Sequence, residues 1–360
     1  MRVLAYIRSN ALGLVAIFLA LSGGAYAAAN LGRNSVGSRQ IRNGHVQRRD
    51  LAGSAVTGAK VKRRSLAGSD LKTGTVGGRA LNDSALFTRT KIVDPAGTPE
   101  QNGKDLIAAV NSINDSGAAN PYLVQLGPGA YDLGQFALQM PRYVELAGAG
   151  AGVTTVSASA ETVASAPGDE LRDLRVDAEG AGSTALSVTD PMTVHDSILS
   201  ASGPGAETVN AAGGAPLEVR NSTIQVDAGT GASDVTALDV NGGSATLANV
   251  QVTATSSSSG AVAIANRNGA AALRSSTVAG RGATGSASYG FATSGTGTIT
   301  ADSSSIAGST AAINNNGNGQ STIRVGASKV DGAALNPGFG TITCVASYNA
   351  SYAPLSAACG

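Results

Sequence analysis

One short segment recurs along most of this chain, and it restricts the fold more than any other feature. The copies are LRDLRVDA (171–178), VHDSILSA (194–201), VRNSTIQV (219–226), LANVQVTA (247–254), LRSSTVAG (273–280), ADSSSIAG (301–308) and VGASKVDG (325–332). Aligned on an aliphatic anchor, they give Leu174, Leu199, Ile224, Val250, Val278, Ile306 and Val330, separated by 25, 25, 26, 28, 28 and 24 residues. A Gly/Ser/Ala-rich loop follows each anchor. One such unit cannot bury its apolar face alone, so an anchor held in register with loops of varying length predicts stacked coils. Neighbouring coils are expected about 4.8 Å apart, the hydrogen-bonding distance between strands. Asn and Ser at the turns are expected to stack and hydrogen-bond from coil to coil. The chain has 48 Gly, no Trp and only 4% aromatic residues, which suits a narrow layered core better than one bulky centre.

Ahead of the repeats, Lys104–Val110 (KDLIAAV) reads as a short helix. A strand ending in GPGAY follows at Tyr122–Tyr131, then a second strand ending in a Gly-rich turn at Tyr143–Gly150. This order resembles the N-terminal cap and first coils of pectin-lyase-like β-helices. The expected fold is therefore all-β: a single-stranded right-handed parallel β-helix over residues 92–335, plugged by the cap helix. Residues 336–360 break the coil period and read as a C-terminal cap over exposed strand edges. Cys344 and Cys359 lie in this stretch. In an exported chain an even pair reads as a disulfide, and two unpaired thiols are the alternative.

Residues 1–29 have the form of an export signal. Arg2 and Arg8 precede the apolar run 11–21, and Ala25-Tyr26-Ala27 offers small residues for cleavage. The other reading is a retained anchor, although the run is shorter than the roughly 20 residues that span a bilayer. Residues 30–91 follow a different rule. Aliphatic residues stand at every fifth position from Leu31 to Leu86, and the intervening residues are small or basic. A period of five fits neither helix nor strand but suits a four-sided coil. The spacing resembles pentapeptide-repeat proteins, while Arg39, Arg49, Arg64 and Arg79 depart from that family's small side chains. It also resembles the basic tracts that follow the signal in exported actinobacterial proteins. The segment is expected to be a small coil or a partly disordered stretch.

Charge is split along the chain. Residues 31–91 hold 13 Lys or Arg and 3 Asp, a net of +10, whereas residues 92–360 hold 10 Lys or Arg and 21 Asp or Glu, a net of −11. The basic tract is a candidate arm for an anionic cell-envelope polymer through Arg48, Arg49, Lys60, Lys62, Arg63 and Arg64. A soluble spacer is the other reading. With no aromatic residue from Leu31 to Leu86 to stack bases, nucleic acid is not an expected partner.

The likeness to pectin-lyase-like proteins implies polysaccharide chemistry, but fold does not fix function. The clustered aspartates with Gly-His-Gly and Arg-x-Lys of galacturonases are missing, and likeness to pectinesterases stops at GPGAY. Catalytic candidates are Asp173, Asp177, His195, Asp196 and Asp227, within an acidic set that includes Asp169, Glu170, Glu179 and Asp190. Aligned on the anchors, Asp177 and Asp227 fall two coils apart on one face, about 9.6 Å by strand spacing, near an inverting-hydrolase separation. His195 beside Asp196 could be a base with its orienting group. The same acidic set could hold calcium; otherwise no cofactor or metal is expected. Only Tyr289 and Phe291 lie between Val153 and Ala333, which argues against a ring-lined sugar groove. The resulting expectation is a non-enzymatic exported β-helix, secreted or on the cell surface, with a structural, adhesive or binding role and no stable membrane span. A divergent polysaccharide lyase or glycoside hydrolase is the alternative.

Overall fold

The computed structural model describes residues 10–21, 37, 39–47, 50–52, 56, 60–61 and 89–360, apart from 232, 318, 319 and 339. The chain divides into two compact units, 1–77 and 78–360. In the first, residues 10–21 are helical and exposed. No helix among the described residues is long and apolar enough to cross a membrane. Turns recur every five residues: the N–H groups of Gln40, His45 and Asp50 bond the carbonyls of Gly37, Arg42 and Gln47. Ile41, Val46, Leu51 and Val56 remain exposed, so these four do not close an apolar core. Of the basic candidates, Arg48, Arg49, Lys62, Arg63 and Arg64 lie outside the described residues, and Lys60 is exposed.

The second unit is a right-handed parallel β-helix. Its strands form three sheets, one of eleven strands and two of nine. The chain visits sheet 1, then sheet 2, then sheet 3, and returns to sheet 1 beside the strand it left. All pairings between strands are parallel, so equivalent residues of successive coils lie directly over one another. Apolar columns result. In sheet 2 the column is Tyr131, Val156, Val176, Leu199, Ile224, Val252, Val278, Ile306 and Val330. Sheet 3 contributes Leu138, Val163, Leu186, Val209, Leu238, Ile264, Phe291 and Ile313. All of these are buried. Each layer is only a few aliphatic side chains wide, which is why the chain manages without large rings.

The columns correct two of the expected anchors. The seven octets align as read, but Val176 and Val252 stand in the anchor column, not Leu174 and Val250. Strand periodicity of two hides such a slip, since both choices face inward. Each octet is the corner between sheets 1 and 2. Its third residue bends the chain with a positive φ: Asp173, Asp196, Asn221, Asn249, Ser275, Ser303 and Ala327. Asn and Asp tolerate this left-handed conformation best. The fourth residue forms a ladder. Ser222, Ser304 and Ser328 accept bonds from the N–H groups of Ser197, Ser276 and Ser304, and Ser276 accepts from Val250. The same hydroxyls donate to the carbonyl two residues back, as Ser304 does to Asp302 at 2.8 Å. Buried backbone at each corner thereby finds partners that its bent path would otherwise remove. Leu174 and Val250 interrupt the ladder.

Both ends are closed. The cap helix spans Pro99–Asn111, longer than KDLIAAV because Thr98 caps it and Pro99 occupies the first turn. Leu106 and Val110 bury fully against the first coil. Gly103 is required there, since a Cβ would meet the Asp132 carbonyl oxygen at 1.9 Å. At the other end Thr341–Val345 adds a last strand to sheet 1, paired with Thr322–Gly326. The tail then folds back, with Cys344 N–H donating to Ala357 and Val330 N–H to Tyr348. A Cys344–Cys359 disulfide, Cα–Cα 5.2 Å, ties it down. Closing a loop of 15 residues stabilises by about 3 kcal/mol in the chain-entropy picture.

Two substitutions separate the column from the ladder. Leu199→Ala is expected to cost about 2–5 kcal/mol by opening a cavity. Ser304→Ala is expected to cost about 1–3 kcal/mol by stranding the Ser276 N–H. Chemical denaturation of the two variants checks both.

Candidate functional site

The outer face of sheet 1 brings charged side chains of successive coils together. Side chains alternate inward and outward along each strand, so outward residues also stack into columns. One column runs Arg172, His195, Arg220, Ala248, Arg274, Asp302 and Gly326. The next runs Glu170, Thr193, Glu218, Thr246, Ala272, Thr300, Arg324 and Thr343.

The N-terminal half of this face is a network of closed ion pairs. His195 Nε2 lies 2.5 Å from Glu170 Oε1, and Nδ1 lies 2.9 Å from Asp196 Oδ2. The bond to Glu170 is the main reason its imidazole is pushed up to about 9, with Asp196 adding to it against the opposing effect of burial. Arg172 pairs with Glu145 and with Asp173, the latter at 2.8 Å. Glu170, from the coil before, is the partner that local sequence did not reveal. Both ring nitrogens of His195 are thus engaged by carboxylates, and in this arrangement neither is open to a substrate proton.

The other candidates do not join this group. Asp177 faces outward from sheet 2 and is held by Arg175 at 2.7 Å. Asp227 stands in the column of Glu179 and Ser202, while Asp177 stands with Ser200 and Gln225. The expected Asp177–Asp227 pairing is thus corrected: the slipped anchor moved one aspartate by two residues. Asp227 instead accepts from the Gly229 N–H of its own turn. Asp169 is buried, where it accepts from Ala166 and Val144 N–H groups at 2.7 and 3.2 Å. Burial nevertheless pushes its carboxyl up to about 7, and its role is to tie one coil to the next. Among the described residues, no three of His, Cys, Asp or Glu converge to hold a metal ion.

The C-terminal half of the face is a shallow groove of about 740 Å³. Thr246, Ala248, Ala272 and Thr300 make a low floor, and Arg220, Arg274 and Arg324 rise around it. Arg220 is paired with Glu218. Among the described residues, no carboxylate lies within ion-pair reach of Arg274 or Arg324. Asp302 leans over Gly326, where a Cβ would come within 3.2 Å of its Oδ1. The lining holds no aromatic ring. Such a groove offers two free guanidiniums, each able to grip a carboxylate through two parallel bonds, and threonine hydroxyls for neighbouring polar groups. Sequence reading missed it because Arg220, Arg274 and Arg324 are about 50 residues apart. Only the stacking of coils makes them neighbours.

The titration of His195 tests the ion-paired half. NMR is expected to place its midpoint at about 9, above the ordinary 6.5. Because folding raises it, the stability it contributes is fully present below pH 6.5 and lost as pH rises through about 9. His195→Gln should therefore destabilise the protein at neutral pH and cost little above 9; a midpoint near 6.5 would contradict the clamp.

No family model matches this chain, and no curated protein matches it. Its fold is similar to solved β-helix structures at low identity. The pectate lyase Pel9A has a TM-score of 0.48 at 14% identity, over 75% of this chain and 79% of that one. Pectin methylesterase from carrot has a TM-score of 0.45 at 14% identity, over 74% and 84%. Pectin methylesterase PemA from Erwinia chrysanthemi has a TM-score of 0.41 at 11% identity, over 75% and 92%.

Proposed function

We propose that this protein binds a linear acidic polysaccharide along the outer face of sheet 1 and catalyses no reaction on it. The carrying observation is the pair of uncompensated guanidiniums, Arg274 and Arg324, over a floor of small residues. Arg220 and Arg274 stand two coils apart in one column, about 9.6 Å along the solenoid. Arg324 follows two coils beyond Arg274 in the neighbouring column, so a polymer lying parallel to the axis can meet both free guanidiniums. The wide, shallow floor favours an extended chain over a compact small molecule.

Three features support binding without catalysis. His195 is held as a cation between two carboxylates. Asp177 and Asp227 stand in different columns of sheet 2. The groove itself contributes only arginines, Glu218 and Asp302 as ionisable groups, with no buried acid or base aimed across it. The basic tract, net +10 over residues 31–91, adds a second, less selective attraction for the same class of polymer. Together with the signal-like N-terminus and the disulfide, which belongs to oxidising compartments, this gives an exported protein that adheres to acidic polymer at the cell envelope.

The test uses the full chain on immobilised polyuronate, with a neutral glucan as control. Retention is expected on the polyuronate alone, weakening with added salt. Changing Arg274 and Arg324 each to Gln should lower affinity about tenfold per site, about 1.4 kcal/mol each. Undiminished retention by the double variant would remove the groove from the proposal. Deleting residues 31–88, which leaves the first strand of sheet 1, Arg89–Val93, whole, reports the tract's share separately. Release of new reducing or unsaturated ends from the polymer would overturn the non-catalytic reading.

A further inference from the structure

Sheet 3 holds an acidic pair that the groove on sheet 1 does not use. Glu207 opens the strand Glu207–Ala212, and Asp239 lies in Val235–Asn241, the strand of the next coil. Pairing sets Glu207 opposite Thr236 and Asn210 opposite Asp239. The two carboxyl groups thus come from adjacent coils, near enough for each to bear on the other's ionisation. Asp239 is 1% exposed. Its Oδ2 lies 3.1 Å from Nη2 of Arg267, on the following strand Ala261–Arg267. Its Oδ1 is buried and has no ordinary donor. Asn210 Nδ2 donates to Glu207 Oε2 at 2.8 Å.

The arrangement is short of one positive charge and one donor. Two carboxylates face a single guanidinium, and that guanidinium is half exposed, with 52% of its side-chain surface open. Like charges this close in a buried site disfavour full ionisation, and a buried acceptor without a donor is costly. A proton on Glu207 removes both defects, cancelling one charge and supplying Asp239 with a donor. We propose that Glu207 and Asp239 share one proton in the folded protein, and that losing it loosens the joint between their two coils.

The surroundings agree. Burial, and then the charge of Asp239, push the Glu207 carboxyl from 4.5 up to about 7. Burial likewise raises Asp239, opposed by Arg267 and by Glu207. Other acids on the elements packed against the pair turn elsewhere. Asp227 accepts from Gly229 N–H at 2.9 Å and Asp234 from Gly260 N–H at 2.6 Å. The folded protein keeps a proton that the unfolded chain has already released. The pair's contribution to stability therefore declines as pH rises from 4.5 to about 7 and is flat above.

Infrared spectroscopy of the full chain, with glutamate side chains carboxyl-labelled with carbon-13, reads the proton directly. A protonated-carboxyl band is expected to persist above pH 4.5 and to vanish through about 7. Glu207→Gln should abolish that band and flatten the fall in melting temperature over the same interval. Should Glu207→Gln not fold, Arg267→Gln serves in its place, since removing the guanidinium shifts the band's midpoint upward. Absence of any labelled band above pH 4.5 would overturn the proposal. So would a band indifferent to both variants, or melting curves that run parallel across the interval.

Discussion

Everything in the β-helix depends on the parallel hydrogen-bonded ladder between coils. It holds each coil about 4.8 Å above the last and lets no residue drift sideways. A position that is apolar in one coil must then be apolar in the next, because it packs on its own counterpart. Leu186, Val209, Leu238, Ile264, Phe291 and Ile313 obey this in sheet 3. The corners follow it in part: each opens with a residue of positive φ, and at four of them a serine, Ser222, Ser276, Ser304 or Ser328, follows whose hydroxyl serves two backbones.

The same ladder makes surface chemistry. Residues that are about 25 positions apart in the chain become neighbours, so a column of outward side chains behaves as one feature. On sheet 1 it yields two unlike halves. Toward the N-terminus, a column of bases, Arg172, His195 and Arg220, stands beside a column carrying Glu170 and Glu218, and the charges neutralise one another, as Glu170, His195 and Asp196 do. Toward the C-terminus, Arg274 and Arg324 make no ion pair among the described residues, although Asp302 stands on the coil next to Arg274, and they face solvent over a low floor of alanines and threonines. On sheet 3 the stacking has the opposite consequence. It presses Glu207 and Asp239 together with one guanidinium between coils, where a proton is the missing cation.

Much of the fold was legible in the octets. Their alignment, the β walls, the cap helix and the Cys344–Cys359 bond all follow from local patterns: periodicity, capping and an even cysteine pair. Two details were not legible. Leu174 and Val250 were indistinguishable from anchors because a shift of two residues preserves the inward face, and only pairing with Leu199 and Ile224 identifies Val176 and Val252. The full length of the cap helix was hidden by Gly103, which breaks the helical pattern but is needed where the helix meets Asp132.

The sequence by itself therefore determined the architecture, since a repeat of near-constant length can bury its apolar residues only by stacking on itself. It also determined the acidic body and the basic tract, which are sums over residues. The tertiary structure decided which charges meet. His195 acquires Glu170, Asp177 and Asp227 part company, Arg274 and Arg324 come to share a groove, and Glu207 reaches Asp239. The physical reason is loop length: separations of 23 to 28 residues between successive octets leave the order of anchors intact, but which outward side chain sits beside which depends on strand register. That register is set by hydrogen bonds between coils and not by neighbours along the chain.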